Sequence, residues 1–275
     1  MKLDNGSGKN RYQFRICLFL DILGFSERIR ASENDDDQVG RIVKAIDVIR
    51  SHFSESDVYA SKQITQFSDS VVVSYAIDER SGAFDLLYDT GLCLIRLADR
   101  GFLMRGGIAI GKLVHTDTHL FGPAMNAAYF LESKTANYPR VIVQEDLLLA
   151  ARHAPAAHHE AHDEVEYVKS LLRRDFDGLL YIDYIGWDSV VSSLGGDNDL
   201  YPKYLTTISQ LLSKYTNSPD LNIRAKYGWV ARHYMKAKSE IECLPDNHSF
   251  RLENPGYVEL ISKLPSFPVP GVVVE

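Results

Sequence analysis

The 275-residue sequence predicts an α+β protein: a ferredoxin-like, mainly antiparallel sheet flanked by helices, with a helical C-terminal extension. Three observations carry that expectation. Apolar runs of strand length alternate with segments whose apolar residues recur at helical spacing. The strand-like runs come in pairs around short polar turns, which indicates hairpins. Beyond residue 186 the pattern becomes mainly helical.

Residues 1–11 are polar and are expected as a flexible arm. Phe14 to Leu20 is an apolar run of strand length that stops at Asp21. After a polar break, Ile42, Val43, Ile46 and Ile49 predict a helix over 39–52. Asp35, Asp36 and Asp37 precede it, where acids suit a helix N-terminus, so they read as a solvated lead-in and not as a metal site. Residues 59–67 and 71–77 predict a hairpin around Ser68, Asp69 and Ser70. Phe84, Leu87, Leu94 and Leu97 predict a helix over 83–99, closed by Gly101. Residues 103–110 and 113–115 predict a second hairpin turning near Gly111. A helix follows from Pro123 to about Thr135. Residues 140–144 and 179–185 predict strands, and about 200–217 and 220–242 predict helices. The proline-rich stretch from Pro245 to Glu275 is expected to be extended. The order β-α-ββ-α-ββ-α-β places helices on one face of an antiparallel sheet. The organisation expected is one domain over 12–186 and a helical extension and tail over 187–275.

Acids outnumber bases 37 to 30, for a formal net charge of −7. That balance opposes a nucleic-acid partner, which needs a basic surface, and with it a palm-type polymerase. It leaves room for a small anionic substrate if metal ions supply positive charge. No apolar run is long enough to cross a bilayer, and no signal-peptide core is evident, so no membrane partner is expected. Cys17, Cys93 and Cys243 are too few for a disulfide framework, which fits a reducing, cytoplasmic setting. Cys17 and Cys93 read as core residues. His153, His158, His159 and His162 form a cluster in which His158 and His162 would share a helix face. The Ala154 to Ala157 stretch and the neighbouring acids favour an exposed insertion there instead.

Asp21 stands where the first strand stops, and Asp69 stands at a hairpin tip. If that strand pairs with that hairpin, the two carboxylates converge. Paired carboxylates suit hard divalent cations shared with substrate phosphates. Two such metals can activate a hydroxyl and stabilise a leaving oxygen. By spacing alone, two Asp residues at strand ends are more often turn or cap residues.

The wording around these residues narrows the choice. Phe19-Leu20-Asp21-Ile22-Leu23-Gly24-Phe25 resembles the opening motif of class III nucleotide cyclase domains. Phe67-Ser68-Asp69-Ser70 sits where those domains carry a Gly-Asp pair on a hairpin. Arg105-Gly106-Gly107-Ile108-Ala109-Ile110-Gly111 resembles their Arg-x-Gly-Ile strand. Gly122-Pro123-Ala124-Met125-Asn126-Ala127-Ala128 resembles the start of their Asn-bearing helix, ending in Leu131-Glu132. The four motifs occur in order over residues 14–143. The resemblance implies a class III cyclase fold and two Mn²⁺ or Mg²⁺ ions per site, held by Asp21, Asp69 and the Ile22 carbonyl. It implies a triphosphate cradle from the backbone N–H groups of Leu23, Gly24, Phe25 and Ser26, as an anion site at a helix start requires. It also implies a head-to-tail homodimer in which one subunit supplies the metal residues and the other Asn126.

The sequence departs from the family at three places. The helix Arg four residues after the Asn is replaced by Phe130, which cannot donate to a phosphate. Arg105 and Lys134 are the candidate substitutes, and Arg105, near the start of the core strand, is better placed; its other reading is a structural ion pair. The two purine-selecting positions hold Thr65 and His119 and match neither the adenylate nor the guanylate code. Tyr59 could fill volume left by a smaller base, but reads better as a core strand tyrosine. A cyclase domain without the purine code resembles the pyrimidine (uridylate or cytidylate) cyclases of the bacterial Pycsar antiphage system. These make cyclic UMP or cyclic CMP for a separate effector. Thr65 can pair with uracil or cytosine; the resemblance favours UTP. The alternatives are a cytidylate cyclase and a non-catalytic, cyclase-like nucleotide-binding module.

Overall fold

A computed structural model describes residues 11–54 and 59–269. Most of the expected arm, residues 1–10, lies outside the described residues, as do 270–275 of the tail. The first half runs β1 (Gln13–Ile22), α1 (Phe25–Ser32), α2 (Asp36–Ser54), β2 (Gln63–Phe67), β3 (Ser70–Ala76), α3 (Gly82–Ala98), β4 (Met104–His115), β5 (Leu120–Phe121) and α4 (Pro123–Phe130). A π-helical turn (Leu131–Thr135) continues α4. Then come β6 (Val141–Val143), α5 (Leu147–His153), α6 (Ala161–Ser170), β7 (Leu172–Arg174), β8 (Leu180–Ile182) and α7 (Trp187–Ser193). The chain closes with α8 (Leu200–Tyr215), α9 (Leu221–Glu242), α10 (Ser249–Glu253) and α11 (Tyr257–Ser262).

The fold is α+β, with an open and mostly antiparallel sheet. Its strand order is β2-β3-β1-β4-β6-β8-β7, with β5 attached to β4 alone. Among the described residues only the β4–β6 pair is parallel. The β2-β3-β1-β4 portion is the ferredoxin-like arrangement, which puts β1 at the centre between β3 and β4. Alternation along β1 serves both faces. Ile16, Leu18 and Leu20 join Val71, Val73 and Tyr75 in the large core beneath α2 and α3. Cys17 joins Val72, Ala109 and Leu113 beneath Ala124 and Ala128 of α4. Helices therefore cover both faces, which corrects the one-face expectation. Residue types decide this: β1 is apolar at odd and even positions alike, so each of its faces needs a cover.

Asp35 Oδ1 accepts from the Gln38 N–H at 3.0 Å, so the acid run starts α2 as expected. The turn expected at Gly111 does not form. β4 runs straight through it, with Gly111 opposite Arg15 in the ladder. A side chain there would make only ordinary contact with Ala124 of α4, at 3.5 Å, and the pairing with Arg15 carries β4 past this glycine without a bend. The reversal falls at Thr116 to His119, where the Thr116 N–H donates to the His119 carbonyl at 2.9 Å. The tail is not simply extended either: α10 and α11 form because Phe250 and Tyr257 pack on Trp187, with Phe250 4.6 Å from it between ring centres.

The helices beyond residue 186 share the sheet's core. Tyr201, Tyr204, Leu205, Ile208, Trp229 and Val230 are buried in the same cluster as Leu18 and Leu20. Arg140, just before β6, is fully buried and pairs with Asp175 and Asp177. Asp175 also accepts from Trp229 Nε1 of α9 at 2.7 Å. Burial by itself pushes the Asp175 carboxyl up, but hydrogen bonds from His233, Trp229 and the Phe176 N–H, with the Arg140 charge, outweigh it and hold the carboxyl well below its ordinary range. Among the described residues no helix is long and apolar enough to cross a membrane.

Candidate active site

Asp21 and Asp69 are brought together by the sheet. In the β1–β3 ladder Leu20 stands opposite Val71, so the β2–β3 turn closes over the end of β1. The turn is a two-residue hairpin, since Phe67 and Ser70 are ladder partners. Ser68 takes φ +54°, the left-handed region, at the position where the resembled motif has glycine. Ser70 Oγ then donates to Asp21 Oδ1 at 2.7 Å. Burial is the main reason the Asp21 carboxyl is pushed up to about 7; the charges of Asp69 and Glu132 push the same way, and the Ser70 hydroxyl opposes them. Two carboxylates so placed, one of them held in a poorly solvated position, make a donor set that fits a hard divalent cation. Ile22 is buried at the end of β1 and has only its carbonyl to offer such an ion.

Arg105 is the cross-strand partner of Asp21 in the β1–β4 ladder. Its Nε donates to Glu132 Oε1 at 2.6 Å, and Nη2 pairs with the same oxygen. The ion-pair reading of Arg105 is therefore realised, and Arg105 is not a free cation. Its Nη1 has no partner among the described residues. Lys134 is exposed in the π-helical turn. Glu132 is buried beside the site, and sequence reasoning gave it no role; its place at the end of the Asn126 motif was the available signal. Gly107 lets this arrangement form, because a Cβ there would lie 2.4 Å from Leu131 Cβ and 2.5 Å from the Ala128 carbonyl.

The expected phosphate cradle changes in one respect. Leu23 N–H donates to the Leu103 carbonyl at 2.9 Å, extending the ladder, so it is not available to a phosphate. Gly24 takes φ +72° and opens α1, whose first ladder bond runs from Arg28 N–H to the Gly24 carbonyl. The N–H groups of Phe25, Ser26 and Glu27 precede that bond and stand at the positive end of the helix.

Asn126 lies exposed on α4, and among the described residues its side chain bonds to neither Asp21 nor Asp69. Phe130, on the same helix, is 59% exposed. Thr65 and His119 are not brought together: His119 is exposed in the β4–β5 turn, with Nδ1 2.8 Å from Thr118 Oγ1. The histidine that meets Thr65 is His115, whose Nε2 is 3.0 Å from Thr65 Oγ1. Position in β4 was the signal for it, since His115 follows Gly111 and Leu113 on one face. Tyr59 hydrogen-bonds Asp85 of α3 and packs edge-on against Tyr75. It thus belongs to the α3 side of the sheet, away from Thr65.

The other sequence candidates are structural. Cys17 and Cys93 are fully buried, and burial pushes both thiols up to about 12. His159 Nδ1 is 2.7 Å from the buried Glu164, and among the described residues no three His, Cys, Asp or Glu side chains are grouped to hold a metal.

No family model matches the sequence, and no curated protein matches it. Solved structures overlap with it in part. A bacterial light-regulated adenylyl cyclase is 12% identical with a TM-score of 0.39, over 58% of this chain, which spans 57% of that one. The adenylyl cyclase CyaB from P. aeruginosa is 15% identical with a TM-score of 0.39, over 62% of this chain and 93% of its own. The monomeric guanylyl cyclase domain of the RhoGC fusion protein from Blastocladiella emersonii is 15% identical with a TM-score of 0.41, over 62% and 94%. At these levels the functional reading rests on this chain's own residues.

Proposed function

We propose that the chain is a nucleotidyl cyclase that converts UTP into 3′,5′-cyclic UMP and pyrophosphate at two sites of a head-to-tail homodimer. The observation that supports this most is the meeting of Asp21 with Asp69 under Ser70, inside an ordered set of cyclase-like motifs. The ribose 3′-oxygen attacks the α-phosphorus, the bond to the β-phosphate oxygen breaks, pyrophosphate leaves, and the hydroxyl proton passes to water. Asp21, Asp69 and the Ile22 carbonyl would hold two Mn²⁺ or Mg²⁺ ions, which would supply the positive charge that activates the hydroxyl and balances the leaving group. Gly24, Phe25 and Ser26 bind phosphate oxygens through backbone N–H groups. Asn126 orients the substrate from the partner subunit, and Arg105 offers Nη1 in place of the arginine absent at Phe130. Lys134 is the second candidate for that role.

A dimer fits the exposed aromatic groups on the α4 side. Tyr12 and Phe121 make an edge contact at 5.9 Å, and Tyr129 and Phe130 stand exposed on α4. Apolar groups clustered on a surface favour an interface. The domain over 12–186 carries the chemistry, and 187–275 braces it. In the cytoplasm, cyclic UMP would act as a second messenger in antiphage defence, read by a separate effector.

Purified protein incubated with Mn²⁺ and all four nucleoside triphosphates is expected to yield cyclic UMP and pyrophosphate by mass spectrometry. Cyclic CMP would redirect the substrate assignment to CTP. The exposed Phe130 supports one other reading, a nucleotide-binding module without catalysis; absence of every cyclic product selects it.

A further inference from the structure

A cleft of about 590 Å³ opens where the helical extension meets the rest of the chain, between α1, α2, the end of α3 and α8. Four cations line it: Arg28, Arg41, Arg100 and Lys214. Glu27 and Asp99 are the acids there. The lining therefore carries two more positive groups than negative ones, four against two, on a chain whose formal net charge is −7. Neither acid neutralises a cation of the cleft. Glu27 pairs with Arg30, which is not part of the lining, at 4.0 Å. Asp99 Oδ1 lies 3.5 Å from Thr207 Oγ1. Among the described residues none of the four cations forms an ion pair.

The end of α3 explains why three guanidinium groups converge. A helix C-terminus leaves carbonyls without partners and carries partial negative charge. Arg28 Nη2 donates to the Gly101 carbonyl at 2.7 Å, and Arg41 Nη2 to the Arg100 carbonyl at 3.4 Å. Arg100 Nη1 donates to the Arg96 carbonyl at 2.7 Å. Arg28 also lies over the Phe102 ring, 4.3 Å from its centre. A guanidinium has five N–H donors in a fixed fork, and each of these bonds uses one. Capping thus anchors the three arginines without consuming them. Gly101, at φ +80°, keeps the space between them open, since a Cβ there would lie 3.4 Å from Arg41 Nη2 and 3.5 Å from Leu211. Leu211 and Tyr215 give the cleft an apolar wall, and Lys214 stands over the Tyr215 ring at 5.0 Å.

We propose that this cleft is a second ligand site, which binds a small molecule bearing a phosphate group and shares no residue with the Asp21–Asp69 site. Cations held close together without carboxylate partners repel one another, and a bound anion reverses that cost. Guanidinium forks match phosphate oxygens in pairs. A phosphate ester carries close to two negative charges at neutral pH, which balances the excess of the lining, whereas a carboxylate brings one. The cleft is larger than a bare phosphate needs, and its volume is in the range of small-molecule sites, so Leu211 and Tyr215 can cover an organic group. The inference does not rest on the cyclase reading. It gives the extension a role of its own, because α8 supplies Lys214 and the apolar wall.

The probe is phenyl phosphate, titrated into the full chain by calorimetry with EDTA present and no nucleotide, so that metal-dependent binding at Asp21 and Asp69 does not contribute. Wild type is expected to bind it with a millimolar or tighter Kd. The pair Arg41→Gln with Arg100→Gln, both exposed in the ligand-free fold, should weaken binding about tenfold or more. Lys214→Gln, which removes no hydrogen bond from the fold, should weaken it about threefold or more. A charge-matched control, Arg30→Gln with Arg50→Gln, changes exposed residues of α1 and α2 outside the lining and should stay within about twofold of wild type. If melting curves show that the Arg41 and Arg100 pair does not fold, Lys214→Gln against the control carries the test. Absence of binding by wild type overturns the site. So does an equal loss in the control, which shows general charge attraction only, and so do wild-type Kd values in all the cleft variants that fold.

Discussion

Arg105 stands opposite Asp21 in the β1–β4 ladder but gives Nε to Glu132 at 2.6 Å. One cation is thus shared between the sheet that carries the candidate metal ligands and the helical segment that follows Asn126. Glu132→Gln weakens that tie. It should cost about 2 kcal/mol, because the half-exposed Arg105 loses its charged partner while keeping some solvent. Urea denaturation of the two proteins checks this, and an unchanged midpoint refutes the structural role.

Asp21 should be costly to the fold until a cation arrives. Its folded pKa, about 7, lies above the ordinary carboxylate value, mainly through burial. The sign follows: charged Asp21 destabilises the fold at pH 8, and the penalty fades as pH falls through 7 toward 4. After allowance for solvent screening this is about 1–2 kcal/mol. Asp21→Asn should therefore melt no lower than wild type at pH 8 without divalent ions, while losing roughly a hundredfold or more of any cyclase activity. Mn²⁺ should raise the Tm of wild type and not of the variant.

His115 gives a pH signature of the opposite sign. Its folded pKa of about 4 lies below the ordinary histidine value. Arg15, Ser74 and Thr65 face it, from β1, β3 and β2. The unfolded chain takes up a proton that the fold refuses, so stability is intact above about pH 6.5 and falls as pH drops toward 4. Asp21 and Asp89, whose carboxyl is raised to about 6 chiefly by burial, act against this in the same window. The clean measurement is a difference. Between pH 7.5 and 4.5 wild type should lose about 2–3 kcal/mol more than His115→Gln.

Gly107→Ala should lower stability by about 1–3 kcal/mol, since the added methyl must push α4 and its π-helical turn off β4. Activity should fall further than stability, because Asn126 rides on that helix. An active Gly107→Ala would separate α4 placement from function.

Asp175→Ala leaves the fully buried Arg140 with Asp177 alone and removes the acceptor for Trp229. A loss of about 3–5 kcal/mol is expected. Unfolding should stay a single transition, because α9 and the sheet share this network and one core. Two transitions would show that residues 187–275 fold on their own.

Much of the fold was legible. The β1 run, the Ser68-Asp69 hairpin, α3 and the two long helices α8 and α9 each carry a local signal: period, turn residues or a glycine stop. The misses have a common cause. Gly111 has the local look of a turn, yet its pairing with Arg15 keeps it inside the β4 ladder. Leu23 lies in a stretch that resembles a phosphate-binding motif, yet Leu103 claims its N–H. In both, a partner distant in sequence overrides a local preference.

The sequence by itself determined the elements, the acidic balance and the presence of two carboxylates at strand ends, because these follow from residue type and periodicity along the chain. Tertiary structure alone decided that Asp21 meets Asp69, that Arg105 is tied to Glu132, and that Thr65 answers to His115 and not to His119. Those outcomes depend on sheet order and register. They bring together groups whose burial and hydrogen-bond partners no linear spacing records.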